Sequence, residues 1–246
     1  MIQIQNVSKT YGNSNKKAVD NLTLTVNDGE IFGFLGPNGA GKSTTIKMIC
    51  GILSIDEGAI SIDGIDIAQN PMEAKKHIGF VPDTHETYEN LTANEFLNFI
   101  GTVYDVPSKE IKQRAEKLLS IFELDKVLNN PIKTYSHGMK QKILVVAALL
   151  HNPKVWILDE PLTGLDPQSA YQLKLMMRNH ADEGNTVFFS SHVIDVVEKV
   201  CDRIAIIDNG SLVVVDTLDN IRQNKDVSLE DVFLKVTGAN VEDYNG

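Results

Sequence analysis

Cysteine is nearly absent from the 246 residues: Cys50 and Cys201 stand far apart in apolar surroundings, and neither forms a CxxC pair or a metal-ligand spacing. That excludes a disulfide framework and a thiolate metal site, and it suits two buried thiols in a reducing compartment. Basic charge is also scarce. With 23 Lys+Arg against 33 Asp+Glu the formal net charge is −10, so a broad basic face for duplex nucleic acid is excluded and no nucleic-acid partner is expected. Long apolar runs are missing too: the longest clean one, residues 143–150, falls far short of the roughly 20 residues that a spanning helix needs. Any membrane role is therefore expected to run through a partner. The first ten residues lack a basic stretch followed by an apolar one, so no signal peptide is expected. What is present is ordinary globular composition, 42% hydrophobic and 23% charged, which excludes wholesale disorder and allows one large domain or two small ones.

Apolar patterning predicts short strands over residues 2–7, 22–26, 31–35, 60–62, 78–81, 155–158, 186–189, 203–207 and 212–215. The early strands follow each other through Asn27-Asp28-Gly29 and Asp63-Gly64, which suits antiparallel pairing. The later ones are mostly separated by helix-length segments, which suits a parallel sheet with crossover helices. Only Asp208-Asn209-Gly210-Ser211 separates the last two, a hairpin signal. Residues 92–104, 108–122 and 136–152 read as three helices with no strand between them. The coarse expectation is an α/β core interrupted by a helical insertion, with one short helix near residues 229–236 before a polar end.

Gly36-Pro37-Asn38-Gly39-Ala40-Gly41-Lys42-Ser43-Thr44 fits G-x-x-x-x-G-K-[ST], and it lies between an apolar strand and a helix start. Glycines there let backbone N–H groups converge on phosphate oxygens, and the helix N-terminus adds its positive dipole end. Lys42 is placed to reach the β and γ phosphates of a nucleotide, and Ser43 to offer its hydroxyl to Mg²⁺. The matching acids follow the strand Val155-Trp156-Ile157-Leu158: Asp159 is the candidate metal ligand and Glu160 the candidate general base.

Three further segments narrow the class. Ser136-His137-Gly138-Met139-Lys140-Gln141 opens a long helix, so a hydroxyl, a glycine N–H and a helix dipole face outward together. Leu162-Thr163-Gly164-Leu165-Asp166 follows the acidic strand directly, and Ser190-Ser191-His192 ends the next strand, placing an imidazole near a γ-phosphate.

In the order and spacing of these five segments the chain resembles the ATP-binding cassette family, the nucleotide-hydrolysing subunits of membrane transporters, over roughly residues 1–218. The resemblance implies an α/β P-loop NTPase core with an antiparallel β subdomain and an inserted α-helical subdomain. It implies a nucleotide-binding domain over residues 1–220, with the helical insertion at about 91–152, and a short C-terminal helical extension over 221–246. It implies an ATPase using ATP and Mg²⁺ that works as a head-to-tail dimer, with a second copy or a homologous ATPase subunit. On that pattern Tyr11 looks like the aromatic that stacks on adenine, the alternative being a core tyrosine. Ser136 and Gly138 would touch the partner's γ-phosphate, Asp166 would bridge the two subunits, and His192 would hold the γ-phosphate and the water. The insertion is where the family docks its transmembrane subunit. The resemblance therefore implies a separate permease polypeptide and a cytoplasmic location on the inner face of the cell membrane, with the closing helix similar to bacterial exporter-type systems.

Two departures from the family pattern stand out. Its Leu-Ser-Gly-Gly-Gln signature reads Tyr135-Ser136-His137-Gly138-Met139 here, and its metal-facing glutamine is replaced by Asp83 in Phe80-Val81-Pro82-Asp83. Asp83 is expected either to face Mg²⁺ with a full charge or to cap the turn that begins Asp83-Thr84-His85-Glu86. The alternative function is a soluble cassette ATPase of an assembly system, such as iron-sulfur cluster assembly. A kinase or GTPase leaves the signature segment and His192 unexplained.

Overall fold

The computed structural model describes residues 1–12, 16–84, 88–223 and 228–238. His85 and Glu86 of the loop after Asp83 and the polar end after residue 238 lie outside the described residues. Two sheets form the frame. The first is antiparallel, in the order β2-β1-β4-β5, from β1 (Ile2–Thr10), β2 (Lys17–Val26), β4 (Glu57–Ile62) and β5 (Ile65–Asp66). One face is dry and one is wet, so Ile2, Ile4, Leu22, Leu24, Ile60 and Ile62 bury while their neighbours are largely exposed.

The second sheet has six strands in the order β10-β9-β3-β8-β7-β6. Here β3 (Ile31–Leu35), β6 (Ile78–Val81), β7 (Val155–Asp159), β8 (Thr186–Ser191) and β9 (Arg203–Asp208) run parallel, and β10 (Ser211–Thr217) returns antiparallel at one edge. The central β3, β7 and β8 are buried at every residue, as continuous apolar runs covered on both faces require. Alternation divides them between two cores. Phe32, Phe34, Val155, Ile157 and Phe188 face the antiparallel sheet and helix α1 (Lys42–Ile49). Ile31, Leu35, Trp156, Leu158, Val187 and Phe189 face the helical side.

That helical side carries the insertion, α3 (Ala93–Val103), α4 (Ser108–Ile121) and α5 (His137–Leu149), followed later by α6 (Pro167–Asp182) and α7 (Ile194–Val200). Capping residues fix where they start. Thr92 and Glu95 form a reciprocal capping box on α3, Ser136 accepts the Met139 N–H of α5, and Asp166 caps α6 with Pro167 following. The terminal helix α9 (Leu229–Thr237) begins in a Ser228/Asp231 capping box and buries Leu229 and Phe233 in the same core as α7. Between β9 and β10 the two-residue turn has φ 46 at Asn209 and 83 at Gly210, the hairpin geometry that Asn-Gly favours.

The turn at residues 27–29 behaves differently from its expected antiparallel role. It carries the chain from β2 in the first sheet to β3 in the second, with the Gly29 N–H donating to Asn185 O at 2.9 Å. A strand that is apolar at all five positions buries more surface at the centre of a parallel sheet than at a half-wet antiparallel edge. Also absent from the sequence reading are β5, the short helix α2 (Pro71–Lys76) and α8 (Leu218–Gln223). Each has six residues or fewer, too short for periodicity to register. No helix among the described residues is long and apolar enough to cross a membrane.

Candidate functional site

The phosphate loop occupies the whole connection from β3 to α1, residues 36–41. Gly41 has φ 110, a conformation that side chains disfavour, and a Cβ on it would lie 2.6 Å from Ala18 O. At Gly36 a Cβ would come within 2.4 Å of Ile207 O. Both glycines are therefore required by close backbone packing, which leaves the loop's inner curve to N–H groups. Lys42 is buried and its Nζ donates to Gly36 O at 2.6 Å and to Pro37 O at 3.2 Å. Burial lowers its pKa, and the negative charges of Glu160 and Asp159 oppose that shift.

The loop opens on a cavity of ≈ 380 Å³ that gathers Tyr11, Pro37, Asn38, Gly39, Gly41, Lys42, Ser43, Thr44, Asp83, Asp159 and Glu160. Most residues read as a phosphate, adenine or metal contact within one chain thus meet in one place; Gly36 and Ala40 of the loop do not line the cavity, and neither does His192, which adjoins it through Glu160. Tyr11 is 49% exposed and its hydroxyl lies 3.3 Å from Thr44 Oγ1. It is not a core tyrosine. Asp83, Asp159 and Glu160 all line this cavity with Lys42, and the charges of Glu160 and Asp159 act on its ammonium. Among the described residues no three acid, imidazole or thiol side chains are grouped closely enough to hold a metal by themselves, so a hard cation here would draw on the Ser43 hydroxyl and phosphate oxygens as well.

Asp159 ends β7 and pairs in register with Ser190 of β8. Its Oδ1 accepts from Ser190 Oγ at 2.5 Å, and the same Oγ accepts from the Glu160 N–H at 3.2 Å. Glu160 then turns the chain with φ 48, a left-handed conformation rarely taken by a side-chain-bearing residue. Its Oε2 lies 2.9 Å from His192 Nδ1, so acid and imidazole sit side by side at the ends of two adjacent strands. Both also border a second, mostly apolar crevice of ≈ 240 Å³.

Ser136, Gly138 and Asp166 do not line the phosphate-loop cavity. They cluster instead where the start of α5 meets the loop after β7. A Cβ on Gly138 would lie 2.9 Å from Gly164 O, and one on Gly164 would lie 2.3 Å from the His137 ring. Asp166 is held by the Ser169 N–H at 2.9 Å, the Ser169 hydroxyl at 2.6 Å and Lys142 Nζ at 3.0 Å. The hydrogen bonds from Ser169, with Lys142 beside them, hold its carboxyl well below the usual carboxylate range.

Sequence reasoning missed Ser190, Gln141 and Lys142. Gln141, on α5, is buried with its Nε2 donating to Pro161 O at 3.1 Å while its Oε1 has no partner, and Lys142 joins α5 to α6 through Asp166. Ser190 stands within a segment that the sequence had marked for its histidine. Its importance comes from pairing opposite Asp159, a register that no local pattern reveals.

The profile of the family described as ABC transporter matches residues 19–163. The chain is 42% identical over 217 residues to the linearmycin resistance ATP-binding protein LnrL of Bacillus subtilis, covering 88% of this chain and 69% of that one. Among solved structures, an ATP-binding subunit of an ABC transporter superimposes with a TM-score of 0.90 at 33% identity, covering 96% and 99% of the two chains. The cassette MJ0796, solved as a dimer in a post-hydrolysis state bound to ADP and Pi, gives a TM-score of 0.81 at 27% identity over 89% and 99%.

Proposed function

Because this chain belongs to the ABC transporter family, it is an ATP-binding ATPase of that family, and we propose that it energises a separate transmembrane exporter subunit from the inner face of the cell membrane. The observation that carries the proposal is the single cavity in which the phosphate loop, Lys42 and the acids Asp83, Asp159 and Glu160 meet. In it Lys42 exchanges the carbonyls of Gly36 and Pro37 for β- and γ-phosphate oxygens, and Tyr11 offers its exposed ring to adenine. Ser43, Asp159 and Asp83 would hold Mg²⁺, which would offset charge on the phosphates. Glu160 takes a proton from the attacking water. His192, in contact with Glu160, keeps that carboxylate aimed and presents its other ring nitrogen to the γ-phosphate.

The position of Ser136 and Gly138 outside the cavity of their own chain supports a head-to-tail dimer, in which they serve the nucleotide held by the other subunit. Asp166 lies beside them as the bridge between subunits, using the lone pairs that Ser169 and Lys142 leave free. The dimer partner is a second copy or a homologous ATPase subunit. We read residues 1–220 as the cassette and 221–246 as a short helical extension, docked on it through Leu229 and Phe233.

The matching family is described as ABC transporter, and the solved structure of an ATP-binding subunit of an ABC transporter superimposes over nearly the whole chain, which favours transport over a soluble role in iron-sulfur assembly. Affinity purification from detergent-solubilised membranes tests this. Recovery of a multi-span protein with the chain supports the exporter reading, and recovery of soluble assembly proteins alone contradicts it.

A further inference from the structure

We propose that Ser190 is a positioning residue for hydrolysis, one hydroxyl that fixes both acids of the site at once. The inference rests on the assignment of Asp159 and Glu160 above. Ser190 is fully buried near the end of β8, a strand hydrogen-bonded to the phosphate-loop strand on one side and the acid strand on the other, and it pairs with Phe34 and with Asp159. Its hydroxyl proton goes to Asp159 Oδ1 at 2.5 Å, and its lone pair accepts the Glu160 N–H at 3.2 Å. A hydroxyl is one of the few small groups that donates and accepts through a single atom. Alanine does neither. Valine fills the space with no polar atom, and a carboxylate would only accept.

The second bond has a particular task. Glu160 leaves β7 with φ 48, a conformation that costs a non-glycine residue free energy and persists only where its surroundings enforce it. The Ser190 hydroxyl grips the amide of that residue, so the turn that swings the Glu160 side chain to within 2.9 Å of His192 Nδ1 starts from a fixed point. Meanwhile the first bond occupies one lone pair of Oδ1 on Asp159, which limits the directions left for a metal. One serine therefore couples the orientation of the metal acid to that of the base.

The test uses the full chain with Ser190→Ala and Ser190→Thr, each alone and combined with Glu160→Gln. For Ser190→Ala, kcat falls by about tenfold to a hundredfold, the scale of losing a hydrogen bond to a charged group, while KM for ATP stays within about twofold. Ser190→Thr keeps the hydroxyl and restores most of kcat. In the Glu160→Gln background the alanine costs less than it does alone, because the part that acts through the base is already lost while the part that acts through Asp159 remains. Titration calorimetry of Mn²⁺ in the presence of a non-hydrolysable ATP analogue supplies a readout apart from turnover, and there Ser190→Ala weakens the ion by several-fold. If alanine prevents folding, Ser190→Cys keeps the volume with a weaker donor and is read the same way.

Native kcat and native Mn²⁺ affinity in Ser190→Ala would overturn the inference, as would equal losses for alanine and threonine. A Glu160→Gln variant that hydrolyses at the native rate sinks the base assignment instead. Ser190 is then judged on its Mn²⁺ affinity alone, and a native value overturns it.

Discussion

Glu160 Oε2 and His192 Nδ1 lie 2.9 Å apart, just beyond the ends of the paired strands β7 and β8. A ring N–H at Nδ1 donates to the carboxylate, which leaves Nε2 as the nitrogen that faces outward. His192→Ala removes this support while leaving the phosphate loop untouched. Hydrolysis should slow by about a hundredfold, the lower end of general acid–base effects, with ATP affinity within a few-fold of native. Steady-state rates combined with titration calorimetry check it, and unchanged turnover would detach His192 from the chemistry.

Lys42 is poised differently, buried and satisfied by two carbonyls of its own loop. Lys42→Ala deletes the cation that offsets the charges of Glu160 and Asp159 and meets the incoming phosphates. ATP affinity should fall below what titration calorimetry detects at micromolar protein. Native affinity in the variant would refute the role given to the loop.

Most of the frame was legible in the sequence because the central strands β3, β7 and β8 are short runs buried on both faces, and the strands of the antiparallel sheet alternate buried with exposed or partly exposed positions. The phosphate loop and Asp159-Glu160 were legible because their chemistry demands fixed local spacings. What stayed hidden depends on which strands become neighbours. The crossing at residues 27–29 looks like any tight turn, and only the burial of Phe32 and Phe34 between two sheets explains its path. Ser190 is likewise an ordinary serine until β8 pairs with β7. Lys142 was passed over because its partner Asp166 lies 24 residues away across an intervening strand.

Asp83 replaces a neutral amide with a charge at a cavity that already holds Asp159 and Glu160. If it faces Mg²⁺, hydrolysis by the native protein should depend steeply on free Mg²⁺, Asp83→Gln should hydrolyse with a shallower dependence, and Asp83→Ala should be slower than either. Superimposable Mg²⁺ curves, with a melting temperature lowered by an amount matching about 1 kcal/mol of lost capping, would assign Asp83 to the turn.

Two histidines make stability depend on pH. Burial pushes His180, which packs edge-on against Trp156, down to about 4, and burial does the same to His151, which stacks on Tyr104. The unfolded chain takes up these protons near pH 6.5, whereas the folded protein resists them until about pH 4. Their stability is therefore complete above pH 6.5 and is lost as pH falls through that window, at about 1.4 kcal/mol per pH unit for each ring. Asp166, held below the usual carboxylate range, keeps its charge throughout. In urea titrations from pH 7 to pH 4.5, His180→Phe should flatten the slope by about one proton's worth. An unchanged slope would mean that His180 is charged in the fold.

The most direct measurement of the account is size-exclusion chromatography of Glu160→Gln with and without Mg-ATP. The substitution removes the proposed base and leaves Lys42, Ser43, Asp159 and the start of α5 intact, so bound ATP should persist and link the phosphate loop of one chain to Ser136 and Gly138 of the other. The account predicts a monomer without nucleotide and a dimer holding two ATP with it, a dimer that Ser136→Arg abolishes. A Glu160→Gln protein that hydrolyses ATP at the native rate, or stays monomeric while saturated with ATP, would contradict it.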